Sequence, residues 1–172
     1  MTHILDTALE FAVLHHKGQY RKSFANLPYV VHVVDVATKL RMYGIDDEEV
    51  IAAAFLHDTV EDTDVTLDDI ELEFGVRVAD LVEEMTRPDE YGGNKTKKKE
   101  YLKDFAAAKS ATAIILKIAD RVANCRDYDA AGKSVYAAEY AAQLQPLIDR
   151  FDKELAADAN AHLHSDVAWL KH

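Results

Sequence analysis

Tyr29-Val30-Val31-His32-Val33-Val34 is the stretch on which the fold turns. By propensity alone, four valines in six residues make a β-strand. The surroundings argue for a helix. The segment continues through Ala37-Thr38-Lys39-Leu40-Arg41 to a stop at Gly44, and no other run offers it a partner strand. We therefore read residues 29–43 as helix.

Outward from this segment, apolar residues recur mostly at spacings of three and four, the repeat of an amphipathic helix, and only six Gly and three Pro punctuate the 172 residues. The expected fold class is all-α. A first helix is expected over residues 2–17, stopped by Gly18, with a loop to Leu27. Asp46, with Glu49 three residues on, is expected to cap a third helix that carries residues 50–62. Thr66 and Asp69 repeat the capping pattern for a helix to Phe74, Gly75 breaks it, and residues 78–86 form the next. Pro88, Gly92, Gly93 and Asn94 precede Lys95-Thr96-Lys97-Lys98-Lys99, so residues 87–99 read as a long, mobile, basic loop leading into a helix around Tyr101. An apolar helix follows over residues 110–128, then a long one from Ser134 through the 150s, kinked at Pro146. The final ten or so residues give no clear signal.

An apolar content of 49% and the absence of repeats or linkers suit one domain over residues 1–172. A single cysteine, Cys125, allows no internal disulfide and points to a reducing compartment. No basic leader or bilayer-length apolar run stands out, so the expectation is a cytoplasmic protein with no membrane partner. A formal charge of −11 disfavours nucleic acid. A small phosphorylated ligand would need local positive charge, from a metal or from the basic spots Arg21-Lys22 and 95–103. Oligomeric state is left open, self-association included.

The chemistry begins where the apolar run Val50 to Leu56 gives way to His57, Asp58, Glu61 and Asp62. Residues four apart share a helical face, so an imidazole and three carboxylates gather at one helix end. A divalent cation would relieve that crowding, and imidazole with carboxylate is a ligand set for Mn²⁺, Fe²⁺ or Zn²⁺. On spacing alone, a solvated acidic helix end with a surface histidine fits equally well. In the apolar helix over 110–128, Lys117, Asp120, Asn124 and Asp127 form one polar stripe that suits either a cleft or a solvated outer edge. His32 stands alone among valines, where a histidine is ordinarily a packed core residue. Together, two histidines and two aspartates on three apolar helices would make a coordination sphere with room for water.

Four strings, in order, resemble the RelA/SpoT-type HD hydrolase domains: Gly18-Gln19-Tyr20-Arg21-Lys22, Pro28-Tyr29-Val30-Val31-His32, Leu56-His57-Asp58-Thr59-Val60-Glu61-Asp62-Thr63 and Lys117-Ile118-Ala119-Asp120-Arg121-Val122-Ala123-Asn124. The resemblance spans roughly residues 8–130. It implies an HD-domain helical bundle with a metal site in the core between helices. It also implies Mn²⁺ on His32, His57, Asp58 and Asp120, with Zn²⁺ or Fe²⁺ as the other metals to consider. Glu61 and Asp62 would act on the attacking water. Arg21 and Lys22 would hold the base and phosphates, with Asn124 near the sugar or base. Val33 departs from the usual proline after the histidine, and Asp127 falls at a variable position. The lysines of the basic stretch, Lys97 and Lys98 among them, would either close over phosphates or remain solvated.

The chain is too short for the synthetase and regulatory domains of the long stringent-response enzymes and resembles the stand-alone small alarmone hydrolases. The expected activity is removal of the 3′-pyrophosphate from guanosine tetra- or pentaphosphate. The alternatives are an HD phosphohydrolase acting on an adenine alarmone, a nucleoside monophosphate or a phosphorylated dinucleotide, and a non-catalytic nucleotide-binding HD module.

Overall fold

The segment after Pro28 is helical in the computed structural model, which describes residues 3–24, 26–91 and 95–171. Among the described residues there is no strand, only an isolated antiparallel bridge between Tyr20 and Pro28. The Thr2 start of the first helix and the Gly92-Gly93-Asn94 stretch lie outside the described residues. Two compact units emerge, Met1–Thr86 and Arg87–His172.

The first unit holds α1 (Ile4–His15), α2 (Val30–Met42), α3 (Glu48–Leu56), α4 (Thr59–Asp62), α5 (Leu67–Phe74) and α6 (Val76–Met85). Packing decides α2 against propensity: Val33, Val36, Ala37 and Leu40 are buried on one face at helical spacing. Helix α3 is the centre of the unit, packed against α1, α2 and α6, and its run of alanines lets those neighbours approach closely. Its cap is Asp47 rather than Asp46. Asp47 has the extended backbone a cap requires and accepts from the Glu49 N–H at 3.1 Å, while Asp46 pairs with Arg41 of α2. Glu49 closes no capping box; both it and Asp47 pair with Arg77 of α6. The expected box at Thr66 and Asp69 is formed, and Gly75 ends α5 at φ 88°.

The second unit holds a 3₁₀ turn at Asp89–Tyr91, then α7 (Lys95–Ala108), α8 (Ala111–Ala130), α9 (Ser134–Ala141), α10 (Gln145–Arg150) and α11 (Ala161–Leu170). The lysine run is the first turns of α7 rather than a loop. Lys and Glu are good helix formers, and Tyr101, Leu102, Phe105 and Ala106 behind them supply the buried face that anchors the helix. The long helix expected from Ser134 is several pieces. A 3₁₀ turn at Ala142–Leu144 separates α9 from α10, and Pro146 lies in the first turn of α10, where its missing N–H costs nothing. A π turn at Phe151–Leu155 and a 3₁₀ turn at Ala156–Asp158 follow. The unreadable tail is α11, capped by Asn160. No described helix is long and apolar enough to cross a membrane.

Candidate active site

Helix α3 stops at His57 instead of running on to Asp62, and the residues that stop it also arm it. The His57 Nδ1–H donates to the Ala54 carbonyl at 2.8 Å and the Thr59 hydroxyl to the Leu56 carbonyl at 2.7 Å, satisfying two carbonyls that the helix end leaves open. In a neutral ring, donation from Nδ1 makes Nε2 the lone-pair nitrogen. That nitrogen lies 3.1 Å from Asp58 Oδ2, and His32 Nε2 of α2 lies 3.6 Å from the same oxygen. Both rings are buried, with centroids 5.4 Å apart. One ligand atom from each of His32, His57 and Asp58 falls within 4.8 Å of the others. His32 thus faces the Asp58 carboxylate from among its valines, and the solvated reading of His57 fails.

The donor set fits a divalent cation. Two imidazoles turned on one carboxylate, one ring fixed in its tautomer by a backbone carbonyl, is the arrangement such an ion completes. Burial alone would push the Asp58 carboxyl up, but the His57 and His32 rings and a hydrogen bond from Tyr29 bring it well below the usual carboxylate range. The Tyr29 hydroxyl donates to Asp58 Oδ2 at 2.5 Å, and burial together with that carboxylate pushes the phenol far above its ordinary value.

Beyond the break, the one-turn helix α4 carries Glu61, half-buried, and Asp62, exposed. Desolvation and repulsion from Asp58 raise the Asp62 carboxyl, against smaller opposing effects of His16, Lys22 and Tyr29. The single turn from Asp58 to Asp62 is kept by the bond from the Asp62 N–H to the Asp58 carbonyl at 2.9 Å. Arg21 is buried, its guanidinium 5.3 Å from the centre of the Tyr29 ring, and Lys22 is exposed.

The remaining expected residues belong to the second unit. Lys117 and Asp120 are buried, so this part of the α8 stripe is not a solvated edge. Asp120 Oδ1 accepts from the Asn124 amide at 2.5 Å, while Oδ2 lies 3.3 Å from Arg121 Nε and 3.9 Å from Lys117 Nζ. Lys117 in turn lies over the rings of Tyr101 and Phe105. Lys97 and Lys98 are exposed on α7, and Lys97 Nζ donates to the Glu90 carbonyl. The sequence strings quote Tyr29 and Gln19 without giving either work and leave out His16. The one available signal was the polar ring of Tyr29 beside the valines that follow it.

The comparisons fit this geometry. A family model described as an HD domain matches residues 8–150. The human guanosine-3′,5′-bis(diphosphate) 3′-pyrophosphohydrolase MESH1 is 44% identical over 121 residues, 70% of this chain and 66% of its own, so this chain spans just under two thirds of that relative. The Aquifex aeolicus guanosine-3′,5′-bis(diphosphate) 3′-pyrophosphohydrolase is 41% identical over 123 residues, 71% of this chain and 17% of its own. A solved structure described as a metazoan ortholog of SpoT that hydrolyzes ppGpp superposes with a TM-score of 0.83 at 31% identity, covering 99% of this chain and 94% of its own. With a matched family model across most of its length and the cluster of His32, His57 and Asp58 in its first unit, the chain belongs to the HD-domain family, in its RelA/SpoT-type group.

Proposed function

We propose that the protein is a hydrolase that removes the 3′-pyrophosphate of guanosine tetra- and pentaphosphate, giving GDP or GTP and pyrophosphate. The observation that carries this reading is the cluster of His32, His57 and Asp58, with Glu61 and Asp62 one turn beyond it. Support comes from the names of the relatives that share this part of the chain. The continuous family match across 8–150 supports treating residues 1–172 as one HD-type domain.

His32, His57 and Asp58 would hold Mn²⁺, with Asp120 as the fourth ligand the motif assigns. Once bound, such an ion would supply Lewis acidity and positive charge against a polyphosphate. Glu61 and Asp62 orient the attacking water and take its proton; the raised carboxyl of Asp62 suits a proton acceptor better than an ordinary aspartate does. Arg21, fixed over Tyr29, and Lys22, reaching into solvent, receive the base and phosphates. Asn124, whose amide nitrogen donates to Asp120, orients that carboxylate and lies near the sugar or base of the nucleotide. Lys97 and Lys98 add positive charge for the phosphates. A small nucleotide is the partner, and the cytoplasm is the compartment where that substrate and a lone buried thiol are both at home.

The test is a nucleotide screen with purified protein treated with chelator and reloaded separately with Mn²⁺, Zn²⁺ or Fe²⁺. Turnover of guanosine tetraphosphate should vanish with chelator and return best with Mn²⁺. Turnover confined to adenine alarmones or nucleoside monophosphates would replace the substrate assignment.

A further inference from the structure

His16, in the turn that closes α1, is 3% exposed and has both of its ring neighbours tied to the site. Its Nδ1 lies 2.8 Å from Gln19 Oε1, an oxygen that only accepts, so Nδ1 carries the proton and donates. The Gln19 amide then donates to the Asp62 backbone carbonyl at 2.7 Å. On its other side the His16 ring packs against Tyr29, centroids 4.8 Å apart, and Tyr29 donates to Asp58. The second ring nitrogen, Nε2, is buried and meets no hydrogen-bond partner among the described residues. A ring there for packing alone would be better served by an apolar residue, because a buried unsatisfied nitrogen is destabilising.

Helix α4 is four residues long, too short to hold its own position. Its last carbonyl is held across 43 residues of sequence by Gln19, and Gln19 is held by His16. Gly18 makes the connecting turn at φ 83°, which lets Gln19 come back onto the His16 carbonyl. We infer that His16 and Gln19 form a clamp that sets the position of Asp62 relative to the metal ligands, with His16 acting as a positioning residue through Gln19. This inference rests on the assignment of Asp62 to the attacking water.

Three variants test it. His16→Phe keeps the ring and deletes the donor, Gln19→Leu cuts the link at a half-buried site outside the core, and His16→Asn returns an amide donor near the place of Nδ1. Mn²⁺ affinity, measured by calorimetry, should stay within about twofold of wild type in all three. On guanosine tetraphosphate, His16→Phe and Gln19→Leu should lower kcat about 10- to 100-fold with KM nearly unchanged, and His16→Asn should recover most of the loss. Unchanged kcat, a parallel loss of Mn²⁺ affinity, or equal defects in the Phe and Asn variants would overturn the clamp. If the wild-type protein leaves guanosine tetraphosphate intact, the substrate assignment fails and amide exchange decides the clamp. Gln19→Leu should then speed exchange at residues 62 and 63 by about tenfold or more while α2 is unaffected, and unchanged exchange there overturns it.

Discussion

At the scale of single residues, two hydrogen bonds fix which atoms face the cluster. His57 uses Nδ1 on the Ala54 carbonyl and so presents Nε2; Tyr29 spends its proton on Asp58. Such supporting bonds typically set metal affinity by about 10- to 100-fold, so Tyr29→Phe should weaken Mn²⁺ binding about tenfold in a calorimetric titration. Affinity equal to wild type would show that the phenol only fills space. Cys125 offers a contrasting case, a thiol with no part in the chemistry. Buried on the inner face of α8, it is pushed up to about 12 by desolvation, so it should be inert to a disulfide reagent in the native state and react fully once unfolded. His57, Asp58, Glu61 and Asp62 were legible in the sequence because four titratable groups abruptly follow a buried run. His16 and Gln19 were not, because their meaning depends on a 43-residue jump that no local spacing records.

At the scale of elements, α3 is held at both ends by polar side chains. Arg77 of α6 grips Asp47 through both guanidinium nitrogens, at 3.0 and 2.5 Å, and also pairs with Glu49. These groups are exposed, at 51% for Arg77 and 40% for Asp47, so solvent screening holds the contribution to about 1 kcal/mol or less. The Arg77 bond holds the Asp47 carboxyl below its usual range, so this stability is present above the ordinary carboxylate range and is lost as pH falls through the lower folded-state value. Arg77→Ala should therefore lower the melting temperature at neutral pH and close the gap to wild type in strong acid. An equal gap at both pH values would contradict the assignment. Thr66→Ala removes the capping box of α5 and should cost about 1 kcal/mol in denaturant titration. The start of α5 and the glycine stop after it could be read from the sequence because capping is local. The break between α3 and α4 could not, since His57 and Thr59 have acceptable helix propensities and only their hydrogen bonds to Ala54 and Leu56 end the turn. The lysine run was misjudged for the opposite reason. Its neighbours Gly92, Gly93 and Asn94 suggest a loop, while the buried face of Tyr101, Leu102, Phe105 and Ala106 makes α7 a helix from Lys95.

At the scale of the whole molecule, a net charge of −11 means that a polyanionic ligand would need positive charge concentrated locally. The same balance predicts no retention of single-stranded RNA at physiological salt in a filter-binding assay, and measurable retention would mean a basic surface the charge count conceals. The helical class was legible from spacing across the chain, and the valine-rich start of α2 was its hardest case. Packing of Val33, Val36, Ala37 and Leu40 settled it. The central claim is that the His32, His57 and Asp58 cluster serves removal of an intact pyrophosphate from the 3′ position. Real-time ³¹P NMR of guanosine tetraphosphate with the Mn²⁺-loaded protein tests it most directly. Signals of GDP and pyrophosphate alone, absent with Asp58→Ala, are the expected result, and orthophosphate as the first product from wild type would contradict the account.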